Sequence, residues 1–327
     1  MDAPITQKES ERKICAGLEV GITGMQGWRH EMEDAHICSE IPTKKTDVIV
    51  GVFDGHGGAG AAIWIEKVLI SYLEKTVDWK KYVAHSAENP ELVGSALRQA
   101  FLDADAQLRV LQDQGGAGMD TSGCTSVVCI VTPMHIICAN AGDSRCVLAT
   151  NKDVKPMSFD HKPYDAPEKS RIEAAGGFIS MNRVDGDLAV SRALGDFQYK
   201  DTPSLPAEKQ KVSPEPDIII HKRVPEDEFL LIACDGLWDV MSNTEASDIG
   251  RSLFLLGEEN MMLFAEELID LALKKGSRDN ISAVAMKLEG ASISKGGKGV
   301  LGLRAERAAQ EAAAALQREQ AAIDSRR

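Results

Sequence analysis

Short runs of β-branched and other apolar residues alternate along this chain with longer amphipathic stretches, a pattern that requires a mixed α/β fold while leaving its topology open. Residues 48–53 read as a buried strand that runs into Asp54-Gly55-His56-Gly57-Gly58 and then a helical pattern over 59–74. A second helical pattern covers 90–111 and ends in the glycine-rich loop 114–118. Between 124 and 150, three apolar runs broken at Thr132-Pro133 and Gly142-Asp143 predict an antiparallel meander. A strand pair is expected at 218–221 and 228–234, then helices over 243–256 and 260–274 and a last strand over 281–287. Residues 176–216 are polar, rich in Gly and Pro and without period, which predicts an irregular flap. Residues 295–299 read as a flexible linker, and 304–322, rich in Ala, Glu, Gln and Arg, as helix-prone. The expected organisation is an N-terminal extension over 1–19, one domain over 20–290, and a linker with a helical tail over 291–327.

Charge narrows the function classes. Lys and Arg number 37 against 50 Asp and Glu, a net charge of −13, which repels nucleic acid and anionic membranes. The seven cysteines form no CxxC pair and lie mostly in apolar runs, as buried thiols of a reducing compartment do. No signal core, transit character or myristoylation glycine marks the N-terminus, and no apolar run is long enough to span a bilayer. A soluble monomer in the cytoplasm or nucleus is expected.

Four separated places set a carboxylate at the end of a strand-like run: Glu33-Asp34, Asp54-Gly55, Asp235-Gly236 and Asp279-Asn280. Glycine after Asp54 and Asp235 lets the backbone turn sharply and offer a carbonyl to an ion. Oxygen donors of this kind suit Mg²⁺ or Mn²⁺, whereas zinc has no HExxH or CxxC site here. A single Asp-Gly is most often a turn; four such places, each beside an apolar run, weaken that explanation. Arg29 and His56 add a guanidinium able to grip phosphate and an imidazole able to protonate a leaving alkoxide, although an ion-paired surface arginine and a structural histidine would look the same in sequence.

Seven ordered segments make the chain resemble the type 2C, metal-dependent protein phosphatases (the PPM family). They are GMQGWRHEMEDA from Gly24, FDGHGG from Phe53, SGCT from Ser122, ANAGDSR from Ala139, LAVSRALGD from Leu188, CDGLWD from Cys234 and DNIS from Asp279. The resemblance implies an α+β fold: a central β-sandwich of two antiparallel sheets flanked by α-helices on both sides, four layers in all. It also implies two Mg²⁺ or Mn²⁺ ions at one end. Asp54 would bridge them, Glu33 and the Gly55 carbonyl would serve one, and Asp235 and Asp279 the other. Asp34 would orient water on the metals, Arg29 would bind the substrate phosphate, and His56 would act as general acid. Asp143 and Asp239 match a weaker third divalent site. Two cations about 4 Å apart would make hydroxide available near neutral pH for direct attack on phosphoserine or phosphothreonine of protein substrates. Two alternatives stay open: a metal-free scaffold of the same fold, which requires a broken ligand set, and a different two-metal phosphohydrolase, against which the acidic net charge argues where the substrate is nucleic acid.

Overall fold

The computed structural model describes residues 3–85, 87–115 and 121–324. The chain opens with β1 (Ile5–Cys15), β2 (Leu18–Gly27), β3 (Ala35–Ile41) and β4 (Lys44–His56), followed by α1 (Gly60–Lys75), α2 (Val77–Ala84) and α3 (Pro90–Asp113). Strands β5 (Gly123–Val131), β6 (His135–Ala141), β7 (Arg145–Thr150) and β8 (Val154–Pro156) lead into α4 (Ala166–Ala174). The flap contains a small hairpin, β9 (Ile179–Ser180) and β10 (Arg183–Val184), and then β11 (Leu194–Gly195). After it come β12 (Asp217–Lys222), β13 (Asp227–Ala233), α5 (Asp235–Trp238), α6 (Asn243–Leu255), α7 (Met261–Lys274), β14 (Ile281–Lys287) and α8 (Gly299–Asp324).

Two antiparallel sheets stack face to face, one ordered β1-β2-β14-β13-β7-β8 and the other β12-β6-β5-β4-β3, with β11 added to β5. Alternation along β4 shows why its sequence reads as a continuous apolar run. Val48, Val50 and Val52 point into the core between the sheets, while Ile49 and Phe53 point outward into a second core under α1 and α3. β13 does the same on the other side: Leu230 and Ile232 face between the sheets, and Phe229, Leu231 and Ala233 pack against α6 and α7. Both faces of the central strands of both sheets are therefore dry, giving the four layers expected. No helix among the described residues is long and apolar enough to cross a membrane.

The strand positions are as expected, but two pairings are not. The run over 124–150 is no three-stranded meander, because β5 pairs β6 whereas β7 crosses to the other sheet and pairs β13. The crossing happens at Gly142, whose φ of +128° admits no ordinary side chain and whose Cβ would lie 2.4 Å from Thr125 Cβ. Nor do the strands at 218–221 and 228–234 pair: β12 lies on β6 and β13 on β7 and β14, in opposite sheets. Residues 5–15, within the stretch read as an extension, form edge strand β1 against β2. The loop expected over 114–118 falls partly outside the described residues.

Candidate metal centre and active site

The site arises because the inward-facing rows of both sheets turn polar at one end. Asp54 follows Val48, Val50 and Val52 on the inter-sheet side of β4, and Asp235 begins α5 directly after β13. Asp34 precedes β3, and Asp279-Asn280 precede β14. Thr125 and Ser144 complete the polar end with a 2.8 Å hydroxyl contact, both fully buried.

Close backbone approach locks these termini together. A Cβ on Gly55 would stand 2.3 Å from the Glu33 carbonyl oxygen, and one on Gly236 would stand 2.0 Å from the Asn280 carbonyl oxygen. Asn280 ties three segments: its Oδ1 accepts from Glu33 N–H at 3.0 Å, and its Nδ2 donates to the Gln26 and Glu31 carbonyls at 2.8 and 2.9 Å. Glu33 Oε1 in turn accepts the Gly58 N–H at 2.6 Å.

Electrostatics show what this arrangement lacks. Both oxygens of Asp34 are buried without a hydrogen-bond partner, and ligand atoms of Asp34, Asp54 and Cys234 lie within 4.8 Å of one another. Burial and then the charges of Asp34, Asp235, Asp143 and Asp279 drive the Asp54 pKa well above the usual carboxylate range. Burial, with Asp143, Asp279 and Asp239 beside it, pushes Asp235 to about 8 against the pull of Lys162. Asp34 rises to about 6, first through burial and then through the Asp279 charge. Hard oxygen donors this crowded and short of positive charge fit divalent cations.

The phosphate-binding and proton-donating candidates stand at the rim. Arg29 is half exposed, and its Nη2 donates to Asp279 Oδ2 at 2.7 Å. That bond raises its pKa against the effect of burial, with Asp279, Asp235 and Asp54 adding to it. His56 Nε2 meets Asp196 Oδ2 at 2.6 Å. Burial works against the imidazolium, yet Asp196, helped by Asp143 and Glu33, lifts the His56 pKa above its ordinary value. Asp143 is buried and holds Lys162 Nζ at 2.5 Å, while Asp239 stands exposed at the edge.

All ten sequence candidates thus sit at this end of the sandwich. Sequence reasoning missed three partners: Asp196, Lys162 and Asn280. Asp196 closes the segment LAVSRALGD from Leu188, the signal that could have marked it, and adopts a left-handed backbone at φ +54°. Lys162 carried no signal.

A family model, protein phosphatase 2C, matches residues 18–281. The chain belongs to the protein phosphatase 2C family. This member is 39% identical over 287 residues to protein phosphatase 1A of Oryctolagus cuniculus, covering 87% of this chain and 74% of that protein. It is 40% identical over 289 residues to protein phosphatase 1B of Mus musculus, with the same coverage. Against protein phosphatase ppm-1.A of Caenorhabditis elegans the identity is 36% over 299 residues, 88% of this chain and 62% of that one. Among solved structures, a phosphatase from a pathogenic strain of Toxoplasma gondii superposes with a TM-score of 0.73 at 23% identity, covering 88% of this family member and 97% of that chain, a likeness of fold.

Proposed function

We propose that this chain hydrolyses phosphoserine and phosphothreonine in phosphorylated proteins, as an intracellular monomer, with two divalent cations, Mg²⁺ or Mn²⁺. The observation that carries the reading is the buried, mutually repelling carboxylate cluster beside Arg29 and His56, with the Asp34 carboxylate left without a partner. Asp54 would be shared between the cations, with Glu33 and the Gly55 carbonyl on one side and Asp235 and Asp279 on the other. Bound there, the cations would lower the pKa of water so that hydroxide is available near neutral pH.

The protein's own groups would do the rest. Arg29, fixed by Asp279, keeps guanidinium donors free at an exposed position to grip the phosphate and offset charge as the bond to the leaving oxygen lengthens. His56, kept protonated by Asp196, donates its proton to the departing serine or threonine oxygen. Asp34 accepts a hydrogen bond from water and so aims it at phosphorus. A covalent phosphocysteine is disfavoured at the nearest thiol, because burial and then Asp34, Asp54 and Asp235 hold Cys234 well above the range where a thiolate forms. A third divalent ion at Asp143 and Asp239 would compete with the Lys162 ammonium, consistent with weaker binding.

The test is hydrolysis of a phosphothreonine peptide with Mn²⁺, with EDTA, and by Asp54→Ala. Activity that requires the cation and is lost in the variant supports the proposal. A folded protein inactive in Mn²⁺ favours the scaffold reading, and phosphodiester cleavage without phosphopeptide turnover favours a different phosphohydrolase.

A further inference from the structure

Three cysteines outside the carboxylate site meet in the middle of the sandwich. Cys129 on β5 and Cys138 on β6 are direct cross-strand partners, so their side chains leave the same face of the sheet. That face looks across the inter-sheet core toward Cys146 on β7 of the other sheet. All three are fully buried, and their sulfurs lie within 4.8 Å of one another. Cys129 Sγ donates to Cys146 Sγ at 3.5 Å. Valine, leucine and isoleucine surround them, including Val50, Val127, Leu148 and Ile232. Burial pushes the Cys129 and Cys146 thiols well up, and besides burial the three sulfurs feel only one another.

We propose that Cys129, Cys138 and Cys146 form a trithiol site that takes one trivalent thiophilic metalloid of the arsenite or antimonite class. Three sulfurs at this separation can close on one centre: a trivalent centre with a lone pair binds three sulfurs as a pyramid, so at a distance to sulfur of about 2.3 Å its ligands stand about 3.4 Å apart, close to the 3.5 Å between Cys129 and Cys146. Charge then selects among thiophiles. Three thiolates around a monovalent or divalent ion leave a net negative charge in an apolar core with no counter-charge, which disfavours such ions. Three thiolates around a trivalent centre are neutral. Zinc would also need a fourth ligand that the aliphatic surroundings do not offer.

The reaction is a ligand exchange without redox change. Arsenous acid, As(OH)₃, loses three As–O bonds and gains three As–S bonds, and each thiol proton leaves on a departing hydroxide as water. Entry requires the sandwich to open at its side. β6 and β7 each lie one strand in from a sheet edge, beside β12 and β8, so the opening is local and binding is slow. Once bound, the metalloid staples β5 and β6 to β7 across the two sheets. The same three residues read only as small hydrophobic side chains would bind nothing.

The full-length protein, reduced and freed of small thiols, is incubated with arsenite, desalted and assayed for arsenic, and arsenic K-edge absorption is recorded on the retained complex. The expected result is one arsenic per chain with three sulfur neighbours. Retention should be unchanged in Cys15→Ala/Cys38→Ala, which removes the pair whose sulfurs lie 4.0 Å apart, and lost in Cys138→Ala. No retained arsenic, a shell of two sulfurs, or retention that survives Cys138→Ala overturns the site. Cadmium held as well as arsenic overturns the choice of a trivalent ligand. The absorption spectrum is read on the unmutated chain, so the result stands even where Cys138→Ala fails to fold.

Discussion

At the scale of single residues, the His56–Asp196 contact decides how long the proton donor keeps its proton. Burial alone would strip it, and the Asp196 carboxylate at 2.6 Å outweighs that cost. In Asp196→Asn the His56 pKa should fall, so the basic limb of the kcat profile moves to lower pH. Turnover of phosphothreonine peptide at pH 8 should drop about 10-fold or more, with a smaller loss on an aryl phosphate whose leaving group needs no proton. Equal losses on both substrates would remove His56 from that role. Gly55 has a different kind of necessity. Gly55→Ala forces a methyl group to 2.3 Å from a backbone oxygen that has no rotamer by which to move away. Destabilisation of about 1–3 kcal/mol is expected, read by urea melts, together with weaker Mn²⁺ binding because Glu33 is displaced.

At the scale of elements, α8 shows how a tail can be half structural. Its first turns dock: Val300 is fully buried, Arg304 reaches Glu266 and Asp270 at 3.0 and 3.1 Å, and Arg307 pairs with Glu267. Glu267 is itself fully buried in α7, so removing its cations strands a charge. Arg304→Ala/Arg307→Ala should cost about 3 kcal/mol, whereas Leu316→Gln on the exposed half should stay within about 0.5 kcal/mol. Similar losses in a paired urea melt would mean that the docked turns contribute no more than the exposed half. The sequence revealed α8 as a helix through composition but not its docking, because Glu267 sits at a position that reads as surface. The same limit governed the strands. β4, β13 and β14 announce themselves because both faces are buried, while β1, exposed along most of its length, has no such pattern. Pairing was illegible for a further reason: β6 and β7 are neighbours in sequence, and only the left-handed Gly142 sends them to different sheets. The site was legible residue by residue through ordered motifs. Lys162 was not, since its role exists only where the fold places it on Asp143.

At the scale of the molecule, the carboxylate cluster links stability to pH and to cation. Without cations, Asp34 and Asp235 titrate near 6 and 8 in the folded chain, above the 3.8 of an exposed aspartate. The folded state therefore holds more protons than the unfolded state between about pH 4 and 8. Stability from these two groups is fully present below pH 4 and is lost as pH rises through their folded values. His56, also raised, loses its contribution in the same direction; His36, lowered by burial, works against it. Carboxylates held low in the fold, such as Glu168 at about 2 under Arg192 and Arg171, are already ionised above pH 5 and leave this window flat. In EDTA the melting temperature should thus fall between pH 5 and 8.5, by roughly 1–2 °C for each kcal/mol lost. Saturating Mn²⁺ should flatten the slope, because bound cations keep the acids ionised, and should raise stability by about 2.7 kcal/mol for each site filled at a hundredfold excess over its Kd. Asp235→Asn in EDTA should share the flatter profile without needing the ion. A wild-type melting temperature that rises with pH in EDTA, or one that Mn²⁺ leaves untouched, would show that the repulsion between these buried acids is relieved by something other than a divalent cation.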